Sequence, residues 1–144
     1  MATTNEEYVV ASSFKVTIEG MQSSNFDLVS GMGLSFEDVK QQAEKGISMV
    51  NRPGRFHARD ITLKRRLKKD KEMANWVKTL KSGKQDRRAG SIIILDDEDK
   101  EVVRYNFTGA WPKDWYNSDL NKDGNGNAIM SETVVLSVQD LEMA

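Results

Sequence analysis

Apolar and polar residues alternate along most of this 144-residue chain, a pattern typical of half-buried β-strands. In FKVTIEG the alternation places Phe14, Val16 and Ile18 on one face. Two short strands are predicted at 26–29 and 34–40, separated by glycines. Further strands are predicted in ITLKRRL, GSIIILDD, EVVRYNF and SETVVLSVQDL, and the isoleucine run indicates a strand that is covered on both faces.

One segment, DKEMANWVKTLKSG, changes to a helical period. Asp70 is a suitable N-cap and Gly83 a suitable C-terminal stop, so a helix is predicted over about 70–82. The apolar face consists of Met73, Trp76, Val77 and Leu80. The opposite face carries Lys71, Lys78 and Lys81. We therefore expect the helix to cover a sheet and to be basic on its outside.

Two regions interrupt the strand pattern. The polar segment at 41–60 predicts a long loop or a projecting hairpin, with a turn at Pro53-Gly54. Pro112 predicts a break in regular structure between two tryptophans. Taken together, the patterns over residues 1–144 predict one mainly antiparallel β-domain with a single helix, either a barrel or a sandwich. Residues 1–12 are predicted to be an N-terminal extension.

Composition narrows the function classes. The chain has no cysteine, which excludes disulfides, thiolate zinc sites and cysteine nucleophiles. Its start, MATTNEEYVV, lacks the features of a signal peptide, and no apolar run approaches the ~18 residues of a membrane span, so we expect a soluble protein that is not exported by the general secretory route.

The net charge of -1 conceals an uneven distribution. Between residues 52 and 88 there are 14 Lys or Arg against 4 Asp or Glu, which leaves 7 against 18 for the rest. This segment could bind nucleic acid, meet an acidic protein, or form an ordinary solvated face.

The stretch DLNKDGNGNAIM resembles a calcium loop, with candidate ligands at Asp119, Asn121 and Asp123. The template requires a bidentate Glu at its twelfth position and a helix on each side. Met130 occupies that position and the chain after it is β-patterned, so metal binding is rejected and an exposed turn is expected.

No catalytic or cofactor-binding constellation is apparent. His57 is the only histidine and the only conceivable general base of the usual kind, and it lies in a polar segment without a nucleophile elbow. Gly31-Met-Gly33 lacks the third glycine of a dinucleotide site. For Trp111 and Trp115 we favour packing or a subunit interface, where aromatic anchors are enriched.

The ordered set of motifs resembles the tail-tube proteins of contractile phage tails and the inner-tube proteins of bacterial contractile injection systems. The resemblance extends from about residue 14 to residue 141, and NFTGAWPKDW followed by DLN and SETVVLSV is its most specific part. The chain departs from the family in a longer link between DLN and Glu132 and in a final VQDLEMA where relatives have a histidine-glutamate-glycine pattern.

The resemblance implies a β-barrel subunit with one helix, whose sheet continues into its neighbours in a hexameric ring. Rings would stack into a hollow tube inside a contractile sheath, which drives the tube through a target envelope with cargo. The implied partners are the sheath, baseplate and tube-terminator proteins and an effector in the lumen, with nucleic acid only as cargo. The tube would assemble in the bacterial cytoplasm. It would belong to a phage-like tail, or to an injection particle that is released or anchored.

Within that family, the 41–60 segment would contact neighbouring subunits and the adjacent ring, and the basic helix face would meet the sheath. The implied interface residues are Met49, Asn51, Arg52, Pro53, Arg55, Phe56, Trp111 and Trp115. Three alternatives stay open: a secreted ring protein of the type VI kind, a nucleic-acid-binding module using 52–88, and a hydrolase using His57.

Overall fold

A computed structural model of the chain describes residues 8–22, 25–42, 49–120 and 129–144, without the side chains of Gln42 and Met49. Within these residues the chain forms nine strands and one helix. They are β1 (Ser13–Ile18), β2 (Leu28–Ser30), β3 (Leu34–Gln42), β4 (Met49–Ala58), β5 (Ile61–Arg66), α1 (Glu72–Lys81), β6 (Arg88–Leu95), β7 (Glu101–Asn117), β8 (Ser131–Ser137) and β9 (Asp140–Met143).

Strand β7 connects the two halves of one antiparallel sheet. The strand order is β1-β6-β7-β8-β5-β2, with β9 also paired to β7. The first part of β7 pairs with β6 and β9, whereas its last seven residues, 111–117, pair with β8. The prediction of a mainly antiparallel fold with one helix is therefore confirmed, and the long strand explains how one sheet can enclose a core.

The inward faces of both sheet halves meet in a single apolar cluster. Its members are Val16, Ile18, Met21, Phe26, Ile61, Leu63, Met73, Trp76, Ile92, Phe107, Ala110, Val134, Leu136, Val138 and Leu141. Helix α1 contributes Met73 and Trp76, which are fully buried, as its amphipathic pattern predicts. The Trp76 indole donates a hydrogen bond to the carbonyl of Asp86 (2.8 Å), and the guanidinium of Arg88 lies 4.7 Å from the ring centroid.

The predicted N-cap of the helix is wrong. Lys71 occupies the N-cap position without a side-chain capping hydrogen bond, and the helix begins at Glu72. The Asp70 carboxylate instead lies 3.5 Å from the guanidinium of Arg65. A charged hydrogen bond to a buried cation competes with a cap that is worth about 1 kcal/mol.

Both predicted interruptions at proline are also wrong. Pro112 lies within β7 opposite Leu136, next to a register shift. Pro53-Gly54 is not a turn, because it lies within β4, where Pro53 faces Asp38 beside a second register shift. Proline lacks an N–H for the ladder and is tolerated in sheets mainly at edges and bulges. The sequence does not reveal these bulges because they depend on the partner strand.

Smaller differences concern strand ends. The strand predicted at 26–29 is the shorter β2. The last predicted strand is two strands, β8 and β9, which pair with different parts of β7.

One ion pair is buried at an end of the core. Arg65 on β5 and Glu132 on β8 are direct register partners, with a 3.1 Å contact between Arg65 Nε and a carboxylate oxygen of Glu132. Only 1% of Arg65 and 4% of Glu132 is exposed. The Phe26 ring centroid lies 5.3 Å from the guanidinium. The pair therefore connects two adjacent strands to the loop that precedes β2.

Removing the acid of this pair should destabilise the fold. Glu132→Ala removes the buried carboxylate that lies 3.1 Å from the Arg65 guanidinium, whereas Asp70 remains at 3.5 Å, so we expect a loss towards the lower end of the about 3–5 kcal/mol that breaking a buried pair costs. Urea denaturation followed by tryptophan fluorescence measures this loss. Glu98→Ala is the control, because Glu98 pairs with Lys100 on the surface, where both side chains are mostly exposed. Equal midpoints for the two variants would contradict the importance of the buried pair.

Candidate assembly interface

Strands β3 and β4 form a separate two-stranded ribbon. They pair with each other from Leu34 opposite Ala58 to Gln42 opposite Met49, and neither belongs to the main sheet. The antiparallel pairing corresponds to the hairpin alternative for 41–60, although the first strand begins earlier, at Leu34. The contact of this hairpin with neighbouring subunits stays a prediction. Two-stranded ribbons are at best marginally stable alone in water.

Large apolar side chains are exposed on both faces of the ribbon. Phe36 and Phe56 are direct register partners, and their ring centroids lie 6.3 Å apart. Nevertheless, Phe36 is 58% exposed and Phe56 is 48% exposed. Since successive side chains point to opposite faces, Val39 lies on the face opposite Phe36. Val50, opposite Gln41, shares that second face, and both valines are nearly half exposed. A partner that covers only one face would leave apolar surface in water.

The base of the ribbon is held by close backbone contacts. Arg59 N–H donates to the carbonyl of Gly33 (2.9 Å), and Lys113 forms a 3.0 Å ion pair with Asp60. Gly31 has a φ of 87°, and a Cβ there would lie 2.4 Å from the Asp60 carbonyl oxygen. These contacts fix the direction in which the ribbon leaves the sheet.

Most residues of the predicted interface lie together on β4. Those with described, exposed side chains are Asn51, Arg52, Pro53, Arg55 and Phe56. Met49 begins the strand, but its side chain lies outside the described residues. The prediction missed the contribution of β3, because Phe36 and Val39 gain significance only when their pairing with β4 is known.

The two predicted interface tryptophans lie in different environments. Trp111 is partly exposed and lines a recess with Leu80. Trp115 faces inward opposite Val134 and packs against the core, which corresponds to the packing alternative. Its indole nitrogen is buried without a hydrogen-bond partner among the described residues. An interface role for either residue stays a prediction.

The basic helix residues are all exposed, at Lys71, Lys78 and Lys81. They project from α1 on the side away from buried Trp76, and Lys78 and Lys81 lie in its last turn. Cations there interact favourably with the negative end of the helix dipole. The face can therefore present positive charge to a partner without first breaking an ion pair among the described residues.

His57 lies on the ribbon, where its Nε2 is 3.0 Å from a carboxylate oxygen of Glu37. More than half of each side chain is exposed, whereas a general base acts in a cleft that positions a substrate. The arrangement therefore gives no support to a hydrolase.

Of the three calcium ligands that the sequence analysis considered and rejected, one lies within the described residues. Asp119 is exposed, whereas Asn121 and Asp123 lie outside the described residues. Across the described ranges, no three acidic, histidine or cysteine side chains are grouped so that they could hold a metal ion. In the same ranges, no helix is long and apolar enough to cross a membrane.

Several strands of the main sheet have an open edge. Among the described strands, β1, β2 and β9 each pair on one side only, and so does the final part of β7. Open edges present unpaired N–H and C=O groups that can template pairing with another chain. The subunit thus combines open edges with a ribbon that exposes several large apolar side chains among polar ones, as expected of a chain that assembles with further copies.

The T4-like virus tail tube protein gp19 family matches residues 10–142. The chain belongs to this family. The resemblance inferred from motif order is therefore confirmed, and the match spans the ribbon, the helix and both halves of the sheet. None of the curated protein sequences compared with the chain is significantly similar to it.

Solved structures share this tail tube fold at low sequence identity. A chain of the extended sheath-tube complex of PVC, an extracellular contractile injection system, is 18% identical with a TM-score of 0.83, and the match covers 99% of each chain. A chain of the anti-feeding prophage tube-terminating cap is 19% identical with a TM-score of 0.83, covering 100% of this chain and 94% of that one. Hcp1 from Flavobacterium johnsoniae is 18% identical with a TM-score of 0.55, covering 91% and 94%.

Two glycines allow a matched test of the ribbon base. Gly31 and Gly83 both have positive φ, and alanine in that conformation costs about 1–2 kcal/mol at either position. Only Gly31→Ala adds an overlap with the Asp60 backbone, because nothing lies within 4 Å of a Cβ at Gly83. We expect Gly31→Ala to lower the urea midpoint clearly more than Gly83→Ala. Equal losses would contradict the close packing at the ribbon base.

Proposed function

We propose that this chain is the structural subunit of the inner tube of a contractile injection system or phage-like tail. Six copies close into a ring, and rings stack into a hollow tube inside a contractile sheath. The single observation that carries the proposal is the β3–β4 ribbon, which exposes apolar side chains on both faces in a member of the tail tube family.

A tube accounts for the features that a monomer leaves unsatisfied. Continuing the sheet into neighbouring subunits would pair the open edges of β1, β2 and β9. Heterologous contacts, in which two different patches meet, generate rings when they close and filaments when they repeat. A ribbon inserted between subunits would have both apolar faces covered at once.

The interface residues follow from the ribbon. Asn51, Arg52, Pro53, Arg55 and Phe56, together with Met49, would contact the neighbouring subunit and the adjacent ring. Phe36 and Val39 join them from β3, since they lie across the ladder. Trp111 and Trp115 complete the proposed set. Rigid aromatic side chains at the centre of an interface contribute disproportionately to binding.

The outer surface would bind the sheath through Lys71, Lys78 and Lys81. Their positive charge favours an acidic sheath surface. Sheath, baseplate and cap components occur together with similar chains in the PVC and anti-feeding prophage particles. We propose sheath, baseplate and tube-terminator proteins as partners here, with an effector, or nucleic acid only as cargo, in the lumen.

The role is mechanical rather than enzymatic, and the particle assembles in the bacterial cytoplasm. A secreted ring protein of the type VI kind is less well supported, because the fold matches the PVC chain more closely than Hcp1 (TM-scores 0.83 and 0.55). A nucleic-acid module is also less well supported. Arg65 and Arg88 of its basic segment contribute instead to the buried ion pair and to packing on Trp76.

Electron microscopy of the purified protein tests this function. At high concentration, negative-stain images should contain six-fold rings or stacked tubes, because the ribbon and sheet edges find partners only in further copies. The double substitution Phe36→Ser and Phe56→Ser should abolish the rings and tubes. Both aromatic side chains are already exposed in the monomer, so removing them should weaken assembly rather than the fold of the subunit.

The control is Leu120→Ser, which removes an exposed apolar side chain away from the ribbon. It should assemble like the wild type. A wild-type protein that persists as a monomer at high concentration would contradict the proposed function, and normal tubes from the doubly substituted protein would contradict the role of the ribbon.

Charge reversal tests the sheath-facing surface. Lys71→Glu, Lys78→Glu and Lys81→Glu together should leave tube formation intact but prevent co-sedimentation with sheath protein, because like charges would then face each other. Lys64→Glu is the control, because Lys64 is exposed on β5, a strand that is already paired on both sides within the chain. Unimpaired sheath assembly around the triple variant would refute this orientation of the helix.

A further inference from the structure

A short apolar arm precedes β1. In β1, Ser13 pairs with Leu95, the last residue of β6, and the chain after Leu95 reverses in a turn. Residues 8–11 therefore extend beyond the end of β6 and pair with none of the described strands. Tyr8, Val9 and Val10 are 71%, 53% and 58% exposed. The arm thus combines unpaired backbone with exposed apolar side chains.

An acidic turn lies beside this arm. Residues 96–101, DDEDKE, contain five carboxylates and one lysine. The turn is rigid, since the Asp96 carboxylate accepts backbone hydrogen bonds from Glu98 (2.8 Å) and Lys100 (2.9 Å). Ser12 at the end of the arm donates a hydrogen bond to Asp97. Arm and turn therefore form one surface, apolar at its centre and negative at its side.

The opposite end of β6 has complementary chemistry. Arg88 and Leu95 bound the strand, and seven residue steps separate these ends by about 23 Å. Next to Arg88 lies a recess of about 140 Å³, lined by the apolar side chains of Leu80 and Trp111, by Gln85 and Asp86, and by the exposed cations Lys84 and Arg87. Neither cation forms an ion pair within the described part of the chain. The Asp86 carboxylate is paired with Arg88 at 3.1 Å. The recess therefore offers two apolar side chains together with two cations that have no acidic partner among the described residues.

We propose that these two ends bind each other head to tail between copies of this chain. An apolar side chain of the arm enters the recess between Leu80 and Trp111, and the acidic turn meets Lys84 and Arg87. The inference rests on the proposed tube function and assigns it a second contact between copies. This contact uses residues other than those of the ribbon and other than the sheath-facing lysines, although Lys84 borders Lys78 in a neighbouring recess.

The occupant is a second copy because both halves of the contact are present on every chain and cannot meet within one. They lie at opposite ends of a rigid strand in the centre of its sheet half. Two different, mutually complementary patches make a heterologous contact, which gives an assembly one direction. Charge complementarity would select the head-to-tail orientation, because two acidic ends or two basic ends repel.

A charge-swap experiment tests the contact. Asp97→Lys with Glu98→Lys, and separately Lys84→Glu with Arg87→Glu, should each raise the concentration needed for tube formation by about tenfold or more, because like charges then meet. Combining all four substitutions in one chain should restore tubes, as should mixing the two doubly substituted proteins. Unchanged urea midpoints exclude misfolding as the cause.

The outcomes separate this inference from the proposed function. Tubes formed equally well by wild type and both doubly substituted proteins would overturn the contact but leave the tube function standing. So would a fourfold variant that assembles no better than its parents. A wild-type chain that never self-associates would overturn both.

Cysteine cross-linking gives an independent readout, because the chain has no native cysteine. Val9→Cys together with Lys84→Cys should yield a ladder of covalent oligomers on mild oxidation of the assembled protein. Each single-cysteine protein can form a covalent dimer at most, so it is the matched control. A doubly substituted chain that stops at dimers or stays monomeric would contradict the head-to-tail arrangement.

Discussion

A two-stranded ribbon that lies outside the main sheet has no layer of its own chain to cover its two faces. The architecture of this protein depends on that constraint. Phe36 and Phe56 lie on one face, and Val39 and Val50 on the other. The ribbon base is nevertheless fixed by Gly31 against Asp60 and by the ion pair of Lys113 with Asp60. The remainder of the subunit therefore holds in place a ribbon with exposed apolar side chains, which we propose contacts neighbouring copies.

The remainder of the subunit is stabilised by a conventional core and one unconventional ion pair. Trp76 packs into the core from the helix. At one end of the core, the ion pair of Arg65 with Glu132 connects β5 to β8. A buried ion pair of this kind contributes less to stability than an apolar substitute can, but breaking it is costly. Since its loop partner Phe26 precedes β2, the pair also positions one of the open sheet edges, where further chains are proposed to bind.

Sequence patterning predicts the elements better than their partners. The alternation in ITLKRRL and the apolar stripe at Met73 and Trp76 correctly predict β5 and α1, because each pattern reflects a face that is buried locally. Pro112 and Pro53-Gly54 mislead because bulges permit proline inside a strand, and a bulge is a property of two paired strands. Asp70 is wrongly predicted as the N-cap of α1 because its carboxylate pairs with Arg65 instead of capping the helix. The exposed face of β3 and the meeting of Leu80 with Trp111 depend on long-range register, which alternation does not encode.

Hydrogen-deuterium exchange can show whether neighbouring copies cover the β3–β4 ribbon. Amide protection should be measured in the same protein before and after assembly. We predict a large gain in protection at 34–41 and 50–58 on assembly, and little change in β6 and β8, which are already paired on both sides. Ribbon amides that exchange at the same rate in monomer and assembly would contradict this prediction.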